Sequence, residues 1–222
     1  MKAKKKALLG CYAGLDLSLA GTGGVLLDEK GDVVSILAFS TSKKEVEKAR
    51  GGRDMIVLSP EVKKGDAHAM WRRTIFVHDV IKEWLGMWAE TGCLVAIEDH
   101  AYGARGTSIY QLGHLHGLVR HALHARGMRW LLIAPTELKA AVTGKGNADK
   151  NAMMKVPTPD MKQEAFGSST RNNVVDANWL AKVMLAWSDA QCDDWDAIPE
   201  SVTKVLRPHA KRQGLMAREL LP

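Results

Sequence analysis

The chain has 222 residues, of which 46% are apolar and 25% are charged, so its composition suits one globular domain with a substantial core. No apolar run approaches the roughly 20 residues that span a bilayer, which argues against a membrane protein. The basic N-terminus leads into Asp16 without a persuasive signal-peptide cleavage site. The cysteines (Cys11, Cys93 and Cys192) are scattered, which argues against a disulfide framework and a zinc ribbon.

The net charge of +6 is unevenly distributed. Basic side chains gather at the N-terminus, in one internal segment and near the C-terminus: Lys2, Lys4, Lys5 and Lys6; Lys139, Lys145 and Lys150; Arg207, Lys211, Arg212 and Arg218. Clustered positive charge attracts phosphate, so this distribution favours a nucleic acid partner.

Short apolar runs separated by turns predict the first strands. Runs near 11–17, 23–27 and 33–39 are typical of an antiparallel meander of three strands. Residues 40–66 are polar, rich in lysine and interrupted by glycine, so we expect a surface insertion there. Apolar residues at near-helical spacing predict a helix over 67–90, with Trp71, Trp84 and Trp88 in its buried stripe.

Strands and helices alternate in the second half of the chain. A buried strand is predicted over 94–98, a helix over 107–126 and a strand over 130–133. Pro135 opens a short helix, Asn147 is expected to cap another that runs through Met154, and 174–187 predicts a final helix. We expect a basic tail over 1–8, one domain over 9–187 and a polar, basic tail over 188–222. This order of elements predicts an α/β fold in layers.

Three acids stand at comparable places in this arrangement. Asp16 ends the first strand, Glu98 ends the later strand, and Asp176 lies at the start of the last helix. Strand ends and helix starts converge on one edge of a layered sheet, so these side chains are expected to meet. Clustered carboxylates repel each other and a divalent cation relieves the repulsion, which favours two-metal phosphoryl chemistry.

Simpler interpretations stay open for each acid. Asp16 could cap turn amides, Glu98 could be solvated, and Asp176 could be a first-turn acid that the helix dipole favours. Asp99 is expected to be a solvated neighbour. The glycines of GTGG, at 21–24, are interpreted as tight-turn residues rather than a phosphate-binding loop.

Four segments, in this order and spacing, carry a family resemblance: GLDLSLAGTGG, VAIEDHAYG, IAPTELKAAVTGKGNADKNAMM and NVVDANWLAKVM. They resemble the RuvC family of Holliday-junction resolvases, endonucleases of the RNase H-like superfamily, over roughly residues 9–187. The resemblance implies an RNase H-like fold whose mixed central sheet, a meander of three strands followed by parallel strands, is flanked by helices. It also implies a homodimeric endodeoxyribonuclease that resolves four-way junctions in recombination or repair with Mg²⁺, for which Mn²⁺ can substitute.

The resemblance assigns roles to individual residues. Asp16, Glu98 and Asp176 match the family's catalytic, metal-binding acids, whereas Asn173 stands where an acid or histidine is expected and offers a metal only its amide oxygen. Lys139 and Lys150 match lysines that contact the scissile phosphate. Lys145 is a further basic DNA-binding candidate. Tyr102 lies one place from the family's aromatic wedge at the junction centre.

The long 40–66 insertion favours a viral or mobile-element member. The expected location is the cytoplasm of a bacterial cell or of a virus-infected host cell. Rival interpretations are a related nuclease acting on flaps or RNA–DNA hybrids, an inactive junction-binding protein, and an actin-like nucleotide binder.

Two further motifs are weaker. TGKGNADK does not satisfy the Walker pattern, so no nucleotide cofactor is expected. His114, His121 and His124 could share a helix face; a polar or DNA-facing surface is favoured there over a zinc site.

Overall fold

A six-stranded mixed sheet forms the centre of the molecule in the computed structural model, which describes residues 10–40, 43–48, 54–61, 66, 68–87, 92–99, 107–157, 168–191 and 195–213. The strands are β1 (Tyr12–Asp16), β2 (Gly23–Leu27), β3 (Val33–Ser40), β4 (Met55–Leu58), β5 (Leu94–Glu98) and β6 (Arg129–Ile133). Their order across the sheet is β4-β3-β2-β1-β5-β6.

The pairing of the strands confirms the predicted mixed sheet. β1, β2 and β3 form an antiparallel meander, whereas β5 pairs parallel to β1 and β6 pairs parallel to β5. The connection from β5 to β6 contains a helix, as a crossover between parallel neighbours requires.

Seven α-helices lie within the described ranges: α1 (Lys43–Lys48), α2 (Ala69–Gly86), α3 (Thr107–Ala125), α4 (Pro135–Thr143), α5 (Lys150–Lys155), α6 (Ser168–Gln191) and α7 (Glu200–Gln213). A short 3-10 helix, Trp195–Ala197, precedes α7. None of the helices in these ranges is both long and apolar enough to cross a bilayer.

Alternating side chains divide the core between the two faces of the sheet. On β1, Tyr12 packs in a cluster with residues of α4, α5, α6 and α7, whereas Ala13 and Leu15 pack with α2 and α3. The same alternation along β5 sends Ala96 towards α6 and Ile97 towards α2 and α3. The same alternation places Asp16 and Glu98, the last residues of these strands, on the face of the sheet that packs against α6.

Two regions differ from the expected surface insertion and polar tail. Within 40–66, β4 pairs parallel with β3 at the edge of the sheet, and the Asp54 carboxylate accepts a hydrogen bond from the amide of Ile36, 2.9 Å away. Within 188–222, α7 packs against α4 and α6 and buries Leu206 completely. β4 is a run of only four apolar residues, MIVL, inside a polar segment, and α7 has few apolar residues, so neither element stands out in the sequence.

Smaller differences concern single residues. Trp71, predicted to be buried, is 51% exposed, because the buried stripe of α2 runs through Val77, Ile81 and Trp84 instead. The N-cap of α5 is Asp149, whose side chain accepts a hydrogen bond from the amide of Ala152, and not Asn147. Trp88 lies outside the described residues.

Candidate active site

Asp16 and Glu98 meet because β1 and β5 are parallel neighbours in register. Leu15 pairs with Ile97, so the two acids follow at equivalent positions where both strands end. Their side chains share a hydrogen bond. Asp16 therefore contacts another acid, and no described hydrogen bond has it capping turn amides as the simpler interpretation required.

Glycines on β1 and β2 allow α6 to lie against this edge. A Cβ at Gly14 would overlap the carbonyl of Ala177, and a Cβ at Gly23 would overlap the carbonyl of Asn173. Gly21 and Gly23, predicted as tight-turn residues, have no positive φ, so close helix packing is what requires glycine there. Sequence reasoning missed this role, although three glycines close to Asp16 were its signal.

Asp176 joins the other acids from the third turn of α6. The helix begins at Ser168, earlier than expected, so Asp176 is not a first-turn acid and gains little from the helix dipole. Asn173 lies one turn before it, and its amide Nδ2 donates a hydrogen bond to the carbonyl of Gly21. The remaining polar atom of this side chain, Oδ1, is the one that could ligate a cation.

The three acids are difficult to ionise together. Burial, reinforced by the charges of Glu98 and Asp176, raises the pKa of Asp16 well above its usual value. Burial and the charge of Asp176 raise the pKa of Glu98 to about 7. Burial also raises the pKa of Asp176, against the opposing effect of Lys150 and Lys139. Because the pKa of both Asp16 and Glu98 is raised, the pair retains a proton to higher pH than either carboxyl would in water.

The residues present fit a hard divalent cation. In the ranges described, no group of three or more His, Cys, Asp and Glu side chains is already arranged as a metal site. The donor chemistry is nevertheless suitable, because carboxylate and amide oxygens are hard ligands of the kind that Mg²⁺ binds. A bound cation would compensate the charges of Asp16 and Glu98 and so favour their ionised forms.

Two of the three candidate lysines act on the acids. Lys150, at the start of α5, lowers the pKa of all three carboxyls, and Lys139 on α4 lowers those of Glu98 and Asp176. Lys145 is exposed in the intervening loop and is not among the groups acting on the acids. The structure therefore brings the half-buried Lys139 and the exposed Lys150 within electrostatic reach of the acids, whereas the exposed Lys145 does not act on them.

The other candidates lie elsewhere. Tyr102 falls outside the described residues. His114, His121 and His124 are exposed on α3, whereas His116 is buried. The amide of Asp99 bonds to the carbonyl of Ile133.

Comparison with known proteins gives the family. The family model described as "Crossover junction endodeoxyribonuclease RuvC" matches residues 44–161, just over half of the chain. The chain belongs to the RuvC family. Its matched stretch includes Glu98, Lys139 and Lys150, whereas Asp16, Asn173 and Asp176 lie beyond it and are brought to Glu98 by the fold.

Curated relatives carry the same RuvC name. The protein from Koribacter versatilis (strain Ellin345) is 40% identical over 57 residues, which are 26% of this chain and 34% of that protein. The protein from Paenarthrobacter aurescens (strain TC1) is 31% identical over 94 residues, 42% of this chain and 49% of that protein. The chain thus spans between about a third and a half of the length of these two RuvC relatives.

Solved RuvC structures share the fold. The Thermus thermophilus RuvC structure has a TM-score of 0.50 at 17% identity, covering 83% of this chain and 97% of its own. T. thermophilus RuvC in complex with Holliday junction substrate has a TM-score of 0.52 at 16% identity, and the match covers 83% of this chain and 96% of that chain. This likeness, together with the strand order, confirms the predicted RNase H-like fold.

Proposed function

We propose that this chain is a metal-dependent, structure-selective DNA endonuclease that cleaves phosphodiester bonds at four-way junctions. The observation that carries the proposal is the meeting of three half-buried acids and two lysines at one edge of the sheet, in a chain of the RuvC family. Carboxylates without a compensating cation would repel a phosphate, whereas the same acids around bound metal attract it.

Asp16, Glu98 and Asp176 would hold the metal through carboxylate oxygens, and Asn173 would contribute its amide oxygen. Mg²⁺ is the metal we propose, with Mn²⁺ able to substitute. Bound there, it supplies Lewis-acid activation of the attacking water and of the leaving 3′ oxygen. The hydrogen bond from Nδ2 of Asn173 to the Gly21 carbonyl supports this role, because it leaves Oδ1 as the donor atom.

Lys139 and Lys150 would bind the scissile phosphate and stabilise the charge that develops on it. Ammonium groups that are already positioned where charge develops on the phosphate stabilise it more strongly than water does. Lys145, exposed between α4 and α5, would contact the DNA backbone away from the reacting phosphate. We also propose that Tyr102 contacts the junction centre, because it follows soon after the strand that ends in Glu98.

A homodimer is part of the proposal, because two symmetric incisions across a junction need two active sites. The DNA substrate would be met in the cytoplasm of a bacterium or of a virus-infected host cell. In the domain organisation that goes with this function, 9–187 is the nuclease domain with a basic tail over 1–8, the 40–66 region adds the edge strand β4, and the 188–222 region adds α7 to the same core.

The test is metal-dependent cleavage of a synthetic four-way junction, compared with a flap and an RNA–DNA hybrid of matched sequence. Paired symmetric nicks on the junction alone support resolution. If the flap or the hybrid is cut as fast as the junction, the chain is instead a related nuclease with a different substrate.

The neutral side chain of Asn173 motivates one rival function, that of an inactive junction-binding protein. Because Asn173 is neutral and its Nδ2 is engaged by Gly21, the site has one charge fewer than four carboxylates would supply. An inactive junction-binding protein would bind the junction with Mg²⁺ or Mn²⁺ and never cut it, and Asn173→Asp would then gain cleavage. Cleavage by the natural chain excludes this rival.

A further inference from the structure

The short helix α4 needs an external support. It has nine residues, Pro135–Thr143, and carries Lys139; the loop that follows it leads to Lys150. A helix of this length is not stable in isolation, so its position depends on tertiary contacts. Leu138 and Ala141 anchor it to the core beside α6.

The helix α7 contacts α4 near both of its ends. Oε2 of Glu137, in the first turn, accepts hydrogen bonds from the amide of Ala134 at 2.9 Å and from Nε2 of His209 at 3.2 Å. In the last turn, the hydroxyl of Ser201 donates to the carbonyl of Ala141 at 2.8 Å, an atom that lacks a partner within the helix. Between these contacts Val205 and Leu206 are buried.

The α7 contacts and the site lysine occupy different sides of α4. Glu137 and Lys139 are two residues apart and so point about 200° away from each other around the helix. Glu137 meets His209, whereas Lys139 acts on Glu98 and Asp176. A shift of α4 along the line between α7 and the acids would therefore change how far Lys139 reaches into the site.

We propose that α7 braces α4 against the acids, and that His209, acting through Glu137, is a positioning residue for Lys139. Ser201 performs the same role at the other end of α4. The inference rests on the proposed nuclease function for its kinetic test, but the brace itself can be measured without DNA.

The kinetic test is a double-mutant cycle on single-turnover cleavage of a four-way junction with saturating protein and Mg²⁺. His209→Ala should slow cleavage by about tenfold, the scale of one hydrogen bond to a charged group. In a Lys139→Ala background the same change should have no further effect, because the lysine it positions is gone. His209→Gln, which keeps a donor for Glu137, should restore most of the rate.

A matched control lies on the same helix. Lys204 is exposed and pairs with Glu200 one turn earlier, 2.8 Å away, so Lys204→Ala should leave the rate unchanged. Equal slowing by His209→Ala in both Lys139 backgrounds would show general destabilisation and overturn the proposal.

The second readout is amide hydrogen exchange of α4 in the protein without DNA. His209→Ala should accelerate exchange over 138–144 by about tenfold and leave β1 and β5 unchanged. Unchanged exchange in α4 overturns the brace whatever the kinetics show. If the natural chain cuts no junction, the proposed function fails, while the exchange result still decides whether α7 holds α4. Should His209→Ala fail to fold, Ser201→Ala takes its place in both measurements.

Discussion

Three acids that are difficult to ionise lie side by side where β1, β5 and α6 meet. Burial is the largest cause of the raised pKa of Asp16, Glu98 and Asp176, and mutual repulsion adds to it for Asp16 and Glu98. The acids themselves were predicted from their places at strand ends and on the last helix. Their raised pKa values could not be predicted from the sequence, because each value depends on which groups surround the carboxyl in space.

Replacing Glu98 tests the site most directly. Glu98→Gln should reduce junction cleavage by at least about a hundredfold, the scale for removing one group that stabilises transition-state charge, while junction binding persists. Single-turnover cleavage and a binding titration measure the two effects. Asp99→Asn, one residue further on, is the matched control and should retain cleavage. Loss of binding in Glu98→Gln would contradict the assigned role.

The raised pKa of Glu98 predicts how stability depends on pH without a cation. The folded state keeps the proton up to about pH 7, whereas the unfolded chain releases it near the ordinary value of 4.5. The folded state therefore binds more protons, and the free energy of unfolding should fall as pH rises through this range, by a few kcal/mol at about 1.4 kcal/mol per unit.

Thermal melts between pH 4.5 and 8 in EDTA measure this decrease in stability. Glu98→Gln should flatten the pH dependence, and Mg²⁺ should stabilise the natural chain most at the alkaline end. Stability of the cation-free natural chain that increased across this range, relative to Glu98→Gln, would contradict the assignment.

At the scale of the elements, the site exists because α6 can lie unusually close to β1 and β2. Gly14 and Gly23 leave space for the helix backbone, and this contact puts Asp176 beside Asp16. The types of the elements that form the acid site were predictable, since they follow from local periodicity, although α6 begins at Ser168 rather than near 174. How closely α6 approaches the sheet was not predictable, because it depends on contacts between residues more than 150 positions apart, such as Gly21 and Asn173.

Adding one methyl group at Gly14 tests this contact. Gly14→Ala should lower the free energy of unfolding by about 1–3 kcal/mol or more, because the Cβ overlaps the Ala177 carbonyl and α6 must move. Gly117→Ala is the control: it is exposed within α3, and no atom lies within 4 Å of the added Cβ. That change should stabilise the protein by about 0.5–1 kcal/mol. Chemical denaturation measures the free energy of unfolding of both variants, and an equal change in the two would contradict the role given to Gly14.

At the scale of the whole molecule, the edge that carries the acids faces away from the β2–β3 turn. Asp16 pairs with Gly23 at one end of the β1–β2 ladder, and Tyr12 pairs with Leu27 at the other. The family model covers the middle of the chain, and the fold completes the site from both sides of it. Under the proposed function, the DNA is expected to bind around this edge, supplemented by the basic N-terminal segment.

Salt dependence measures the contribution of the N-terminal lysines. Replacing Lys2, Lys4, Lys5 and Lys6 by Gln should reduce the slope of log K against log salt by about 0.9 for each DNA phosphate that these lysines neutralise, and should leave the cleavage position unchanged. Lys30→Gln, in the β2–β3 turn, is the control and should not change the slope. An altered cleavage position would show that the tail reads the junction itself.

Local patterns in the chain were sufficient to predict the meander, the later strands, the long helices and the three acids, because strand alternation and helical spacing act over a few residues. The pairing of β4 with β3, the packing of α7 on α4, the exposure of Trp71 and the close approach of α6 to Gly14 became visible only in the folded molecule. Each of these depends on contacts between segments distant in the chain. The sign and size of the pKa shifts belong to the same class, since burial and neighbouring charges are properties of the assembled site.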